Sequence, residues 1–187
     1  MYHITKDKRT KKSAELIWQG MEKCLQRKSF KQLTITDIYQ ESYISRATFY
    51  RLFDSLQDVI IYQCDCIYNQ LAININENIF NSKQELYLYL IESWINQETL
   101  INTLVENNMT YIIYETHLKN IDLMKQIFLE NIKVSPKEAD YLISLLAYII
   151  PSAINIWYLH GKKDTPQEIY HFVSKGLEII SKQLLSK

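Results

Sequence analysis

Three helix-start signals follow one another closely between residues 33 and 59 of this 187-residue chain. Each signal is a hydroxyl residue followed three positions later by Asp or Thr: Thr34 with Asp37, Ser45 with Thr48, and Ser55 with Asp58. A hydroxyl at the N-cap accepts a hydrogen bond from an unpaired backbone N–H, and an acid in the first turn suits the helix dipole. The segment therefore predicts two short helices, at about 35–41 and 46–53, and a third helix that begins at Ser55.

The two short helices are predicted to form a helix-turn-helix, because only a tight turn separates them. In the second helix, Phe49, Leu52 and Phe53 share one face and should be buried. The opposite face is short, basic and aromatic, and it carries Arg46, Ala47, Tyr50 and Arg51. Arginine can bind guanine or phosphate through two parallel hydrogen bonds, and a small alanine lets the backbone approach the groove. This face is therefore predicted to contact DNA.

The predicted DNA contacts include hydroxyl groups as well as this basic face. Hydroxyls and the N-terminal N–H groups of helices can both bind phosphate oxygens. Arg46 lies in the first turn, where side chains meet base edges, and Tyr50 lies one turn later, where phosphate is nearer. The predicted DNA-binding residues are Thr34, Thr36, Ser45, Arg46, Ala47, Thr48, Tyr50 and Arg51.

Two stretches of the segment, residues 34–38 (TITDI) and 44–53 (ISRATFYRLF), resemble the DNA-binding domain of TetR-family transcriptional regulators. The resemblance covers about residues 9–60 and rests on the combination of these stretches rather than on one position. Three places depart from the family's pattern: Tyr39 stands where the family prefers Ala, Ser42-Tyr43 where it usually has Ala-Gly, and Leu56 where it often has Lys. Glycine is favoured in that turn because the backbone there often adopts a positive φ.

The resemblance implies a homodimeric regulator, a repressor, that binds a palindromic operator in double-stranded DNA and is released or modulated by a small-molecule effector. We place the helix-turn-helix domain at residues 1–54 and a helical domain for effector binding and dimerisation at residues 55–187. The charge distribution fits: residues 1–60 hold 11 Lys and Arg against 7 Asp and Glu, whereas the remaining residues hold 10 against 14. A basic excess beside the motif suits contact with phosphate.

The whole chain is predicted to be all-α, since it has only 3 Gly and 3 Pro and its apolar residues repeat with helical periodicity. Residues 1–8 are predicted to be a loose polar arm, and helix one is expected over residues 9–27. Helix four is expected to run from Ser55 to about residue 75 and to bridge the two domains. A basic cluster near the start is either solvated or in contact with DNA backbone or minor groove. Its members are Lys6, Lys8, Arg9, Lys11 and Lys12.

The C-terminal part is predicted to contain several further helices, at about 83–96, 100–105, 109–118 and 121–132, with additional starts at Ser135-Pro136 and Thr165-Pro166. Residues 141–159 carry no charge, which is typical of a helix buried on all sides or of a membrane span. Pro151 is expected to kink or split this run. The last two helices carry spare apolar surface and are predicted, as the resemblance also implies, to form the dimer interface.

A small-molecule pocket is predicted in the middle of the C-terminal part, as TetR-like regulators usually carry one there. Aromatic walls with few polar groups are typical of such ligand sites. The residues predicted to line the pocket are Trp94, Tyr111, Tyr114, Tyr148 and Trp157.

The sequence shows no pattern typical of a catalytic or metal site. The four His residues are scattered, and Cys24, Cys64 and Cys66 lack the spacing of metal ligands. We therefore expect no enzymatic activity, no cofactor and no metal, and we expect reduced thiols in a cytoplasmic protein without a signal peptide. Two alternatives remain open. The same helix-turn-helix domain could be joined to a C-terminal domain that responds to a protein partner, or the chain could be a membrane-associated helical adaptor built around residues 141–159.

Overall fold

The computed structural model describes residues 1–5, 7–77 and 80–185, without the side chains of Asn76 and Leu185. Within these ranges the chain is helical apart from loops and one isolated β-bridge, so the all-α prediction is confirmed. The α-helices are α1 (Lys8–Leu25), α2 (Ile35–Ser42), α3 (Arg46–Leu52), α4 (Leu56–Asn76), α5 (Lys83–Ile95), α6 (Glu98–Glu106), α7 (Tyr111–Lys119), α8 (Ile121–Leu129), α9 (Pro136–Ala147), α10 (Ile149–Leu159) and α11 (Pro166–Leu185). A short 3-10 turn, Phe30–Gln32, lies between α1 and α2.

The chain divides into two compact units, Met1–Cys66 and Ile67–Lys187. This division falls later than the boundary proposed from the sequence, between residues 54 and 55. The first half of α4 belongs with the first unit, since Val59 and Ile60 are fully buried and the rings of Tyr62 and Phe53 lie 5.8 Å apart. Helix α4 therefore begins in the first unit and ends in the second.

The core of the first unit is built from α1, α2, α3 and the start of α4. Apolar residues recur along one face of α1 and are buried there, and α2 and α3 add Ile38 and Phe49, both fully buried. Helices α1 and α2 pack closely against each other at Gly20. A Cβ atom on Gly20 would lie 2.8 Å from the Cβ and 3.0 Å from the backbone N of Ser42. This close approach explains why a residue without a side chain occupies the middle of α1.

The turn between α2 and α3 is closed by Tyr43, whose φ of 55° and ψ of 27° place it in the left-handed region. Its backbone N–H donates to the carbonyl of Tyr39 and so ends α2. The turn thus keeps a conformation that favours glycine, although a bulky residue adopts it at a cost of about 1–2 kcal/mol. Because the Tyr43 side chain is 93% exposed, burial does not offset this cost.

The first residues of the chain pair with the end of α3, so the prediction of a loose arm is wrong for Tyr2 and His3. Tyr2 forms an antiparallel bridge with Phe53, and the N–H of His3 donates to the carbonyl of Leu52 at 2.8 Å. The Tyr2 hydroxyl donates to Asp65 at 2.6 Å. Backbone pairing with residues some fifty positions away is invisible to local sequence patterns. Of the predicted basic cluster, Lys6 lies outside the described residues, and the other four members lie on α1.

The second unit is a bundle that extends from the second half of α4 to α11. One of its core clusters brings together α4, α5, α8 and α9 through Tyr68, Leu71, Leu86, Leu90, Met124, Ile127 and Ile143. The run 141–159 forms parts of two helices that meet at Tyr148, as Pro151 led us to expect. Proline has no N–H, so the carbonyl four residues earlier, on Ala147, loses its helical donor.

One segment of the described chain, Pro136–Leu159, is long and apolar enough to cross a membrane by length and composition. The break at Tyr148 divides that segment. Both halves are also hydrogen-bonded into the bundle: the hydroxyls of Tyr114 and Ser144 lie 3.2 Å apart, and Asn155 donates to Thr110 at 3.2 Å. These contacts fit a helix pair within a folded bundle.

Candidate nucleic-acid interface and ligand cavity

Helix α3 is short and is held by a cap at its start and by buried side chains along its inner side. At its start, the Ser45 hydroxyl oxygen accepts a hydrogen bond from the N–H of Thr48 at 3.1 Å, and the two hydroxyl oxygens lie 2.9 Å apart. On its inner side, Phe49, Leu52 and the following Phe53 are buried, as predicted. Because these residues fix the rotation of the helix, the residues between them must face outward.

The outer face of α3 is basic and open to solvent. Arg46, Ala47, Tyr50 and Arg51 are all exposed. The guanidinium carbon of Arg46 lies 5.6 Å from the ring centroid of Tyr50, within the range of a cation–π contact. Since these residues are one helical turn apart, the aromatic ring restricts the arginine before any ligand is bound. The face therefore presents two guanidinium groups and one phenol hydroxyl.

The start of α2 holds a network of charge-assisted hydrogen bonds. Asp37 accepts from the backbone N–H of Thr34 at 2.9 Å and from its hydroxyl at 2.8 Å, while the Thr34 hydroxyl oxygen accepts from the N–H of Asp37. Lys28 donates to the same carboxylate at 2.6 Å. The Lys28 ammonium, with the Thr34 bonds, lowers the pKa of Asp37 to about 2. The capping box predicted at Thr34 is thus present, and Asp37 stays ionised at neutral pH.

All eight predicted DNA-binding residues lie in the first unit, on α2, α3 and their caps. Seven are exposed, and Thr48 is half-buried by its capping contact. The hydroxyls of Thr34 and Ser45 are already engaged in capping, so a phosphate would have to share them. One exposed residue was missed by sequence reasoning: Tyr43 stands at the turn directly before α3. In the sequence, its signal was a bulky residue at a turn position that favours glycine.

Of the five aromatic residues predicted to line a pocket, the fold brings Tyr114 and Tyr148 together but places the others against different neighbours. Trp94 is buried against the ring of His117, with centroids 6.0 Å apart, whereas Tyr111 is exposed. Tyr114 stacks on the exposed ring of Tyr148, with centroids 4.0 Å apart. The indole N–H of Trp157 donates to the carbonyl of Asp164 at 3.0 Å. The spacing of aromatics along single helices could not show that these rings face different neighbours.

The second unit does contain an apolar cavity, of about 200 Å³, but other residues line it. They come from α5, α7, α8, α9, α10 and α11, and the five predicted aromatics are not among them. The lining residues include no Asp, Glu, Lys or Arg. Its aromatic wall contains the stacked rings of Tyr87 and Phe128, 5.4 Å apart, with Tyr170 beside them. Such a cavity suits an uncharged apolar ligand.

His117 is the deeply buried polar residue of this cavity, at 1% exposure, and sequence reasoning had passed over it. Its ring lies between Tyr68 and Trp94, with centroid distances of 5.5 and 6.0 Å. Its Nδ1 lies 3.3 Å from the carbonyl oxygen of Ala147, and its Nε2 has no partner among the residues that the structure describes. Burial lowers the pKa of His117 to about 4, so the ring is neutral at physiological pH.

A broad apolar surface runs over α9, α10 and α11 of the second unit. Large side chains that would be buried in a core are solvent-exposed there: Tyr141, Leu142, Leu145, Tyr148, Ile156, Leu159, Phe172, Leu177, Ile179, Ile180 and Leu184. Exposed apolar side chains in such number are typical of interaction surfaces. Among the described residues, no group of three or more His, Cys, Asp or Glu side chains is placed to hold a metal ion.

No family model matches the sequence, and no curated protein sequence matches it. Several solved structures are similar to this one. Lin0861 from Listeria innocua has a TM-score of 0.72 at 17% identity, over 95% of this chain and 96% of that one. A TetR transcriptional regulator from Streptococcus agalactiae 2603V has a TM-score of 0.59 at 15% identity, over 90% and 94%. The TetR family repressor AlkX from Dietzia sp. strain DQ12-45-1b, implicated in biodegradation of n-alkanes, has a TM-score of 0.57 at 16% identity, over 90% and 95%. The chain therefore has the all-α fold of TetR-family transcriptional regulators.

Proposed function

We propose that this protein is a homodimeric transcriptional regulator, a repressor, that reads a palindromic operator through α3 and responds to a small molecule bound in the second unit. The observation that carries the proposal is the outer face of α3, where Arg46, Tyr50 and Arg51 are exposed while the opposite face is buried. A helix of this length, capped and presented by a neighbouring helix, fits the major groove of DNA. The relatives named as regulators support the proposal at the level of the fold.

Binding to duplex DNA can be tested by fluorescence anisotropy with an operator selected from random sequences. Affinity should fall steeply with salt, because each phosphate contact releases a counterion. Arg51→Ala should weaken binding and reduce the salt slope by about one if its guanidinium contacts one phosphate. Lys133→Ala removes an equal charge from an exposed position between α8 and α9 and serves as the control, with unchanged affinity expected. Salt-independent binding, or equal losses in both variants, would contradict the proposal.

The proposed dimer interface is the apolar surface of α9, α10 and α11, with a second copy of the chain as its occupant. Exposed Phe172 and Ile156 would become buried on association, which a charge at either position would oppose. In analytical ultracentrifugation, wild type should sediment as a dimer and Phe172→Glu as a monomer. Ile132→Glu, at an equally exposed apolar residue outside this surface, should leave the dimer intact. A Phe172→Glu variant that remains dimeric would place the interface elsewhere.

Regulation is proposed to act through α4. This helix carries Tyr68, whose ring lies against His117 of the cavity, and it continues without interruption from the first unit. A ligand that moves the His117 ring would therefore act directly on the helix that leads to the DNA-binding head. We place such a regulator in the cytoplasm, where its DNA is found, and we assign it no enzymatic step.

A further inference from the structure

The position of His117 is explained by Pro151. In a continuous α-helix, the carbonyl of Ala147 would accept from the N–H of residue 151, but residue 151 is proline and has no N–H. The imidazole of His117 supplies the missing donor, with Nδ1 3.3 Å from that carbonyl oxygen. A carbonyl oxygen can only accept, so Nδ1 must carry the proton. In a neutral imidazole this leaves Nε2 as a bare acceptor.

His117 lines the apolar cavity, and its Nε2 is a buried acceptor without a partner among the described residues. A buried polar atom left unpaired is costly, and a ligand that pairs it gains the corresponding free energy. Only a hydrogen-bond donor can do so. A carboxylate would bring a second set of lone pairs against Nε2. An ammonium group would be buried without a counter-charge, because no acidic residue lines the cavity.

The size of the cavity limits the ligand further. Apolar cavities of about 150 Å³ hold a benzene molecule, so a volume of about 200 Å³ suits one substituted ring or a chain of similar bulk. The aromatic wall made by Tyr87, Phe128 and Tyr170 favours a flat ring, since offset and edge contacts add to burial.

We propose that the cavity takes a small uncharged molecule, about the size of a substituted benzene, whose hydroxyl donates a hydrogen bond to Nε2 of His117. The proposal rests on the proposed function, in which this cavity holds the effector, and it names the chemical class: phenols and compact alcohols rather than carboxylates, amines or ethers.

Calorimetric titration of the full-length protein can separate these classes with two isomers. 4-Ethylphenol and 4-methylanisole contain the same atoms, but only the phenol has a donor. The phenol should bind at least about tenfold more tightly, which is the gain expected from pairing one buried acceptor. The anion 4-methylbenzoate should not bind detectably. Equal affinity for the two isomers, preference for the anion, or no binding of the phenol up to its solubility would each overturn the proposal.

Variants assign the preference to one atom. His117→Phe should bind the two isomers equally, because the ring remains and the acceptor is lost. Thr116→Val removes another buried hydroxyl of α7 that does not line the cavity, so it should keep the preference. Tyr68 also has an unpartnered buried hydroxyl, and a preference that disappears in Tyr68→Phe but survives in His117→Phe would show that the wrong group was assigned.

Nitrogen NMR of the wild-type protein gives a second measurement that does not depend on a variant's folding. The His117 ring should show the proton on Nδ1, and its Nε2 resonance should move on addition of 4-ethylphenol but not of 4-methylanisole. A proton found on Nε2 would refute the proposal. None of these measurements involves DNA, so a negative result would refute the proposed ligand class only. DNA binding is tested separately by the anisotropy titration.

Discussion

Replacing Gly20 with Ala should destabilise the first unit, because α1 and α2 leave no room for the added methyl group. The new Cβ atom would lie 2.8 Å from the Cβ of Ser42, 3.0 Å from its backbone N and 3.1 Å from its Cα. Only the first of these atoms belongs to a side chain, and Ser42 is itself buried. Backbone atoms cannot rotate away, so the two helices would have to separate.

The magnitude follows from two opposing effects. Alanine in the interior of a helix is normally more stable than glycine by about 0.5–1 kcal/mol. Overfilling a well-packed site costs about 1–3 kcal/mol, and contact with backbone favours the upper part of that range. We therefore expect a net loss of about 1–2 kcal/mol in the free energy of unfolding of the first unit, opposite in sign to the usual effect of this substitution.

Urea unfolding followed by the fluorescence of Trp18, which lies on α1, can measure this loss, with Trp94 and Trp157 replaced by Phe in every variant. A double-mutant cycle supplies the control: Gly20→Ala should cost less when added to Ser42→Gly than when added to wild type, because the nearest obstructing atom is gone. A stabilised Gly20→Ala variant, or equal costs in the two backgrounds, would show that Ser42 does not obstruct a methyl group at position 20.

Further perturbations test other parts of the structure. Phe49→Ala should unfold the first unit at a cost of about 3–5 kcal/mol while the proposed dimer survives, which circular dichroism with light scattering would show; operator binding at wild-type affinity would mean that Phe49 is not needed in the core. Arg46→Ala should relax base preference at about 1–3 kcal/mol for one base pair, whereas Tyr50→Phe should weaken binding about equally on all sequences; competition titrations on single-base operator variants distinguish the two. Tyr43→Gly should raise the free energy of unfolding by up to about 1 kcal/mol, since glycine adopts the left-handed conformation freely but loses more chain entropy; a lower melting temperature would contradict this. The pKa of His117 is about 4 in the folded state and 6.5 in an unfolded chain, so the unfolded state takes up the proton first and stability should fall as pH drops from about 6.5 to 4. Relative to the non-titrating His117→Gln, this loss in the free energy of unfolding should reach about 3 kcal/mol. Parallel pH profiles for the two proteins would contradict the burial of a neutral ring.

Local signals predicted the first unit well because its helix starts are encoded within a few residues. The hydroxyls of Thr34, Ser45 and Ser55 each accept a hydrogen bond from the N–H three residues later. The burial of Phe49 and Leu52 also followed from helical spacing alone. Such features depend on neighbours along one helix, so a pattern in the sequence can contain all of the necessary information.

The features that escaped prediction depend on residues far apart in the sequence. The bridge between Tyr2 and Phe53 joins the start of the chain to the residue that follows α3, and no local pattern marks it. The lining of the cavity comes from six helices, and no pattern along a single helix shows which of their side chains meet. The role of His117 depends on its contact with the carbonyl of Ala147, thirty residues away in the sequence. That carbonyl lacks its helical donor because residue 151 is proline.

Selection of bound sequences from random duplex DNA, with purified wild-type protein and with Arg46→Ala, tests most directly whether this chain reads DNA through α3 as a symmetric dimer. The wild type should enrich an inverted repeat, with half-site centres about 34–36 Å apart or slightly more. Arg46→Ala should enrich the same repeat with one base pair in each half-site no longer specified. No enrichment, a motif without two-fold symmetry, or an unchanged motif with Arg46→Ala would contradict DNA recognition through α3 by a symmetric dimer.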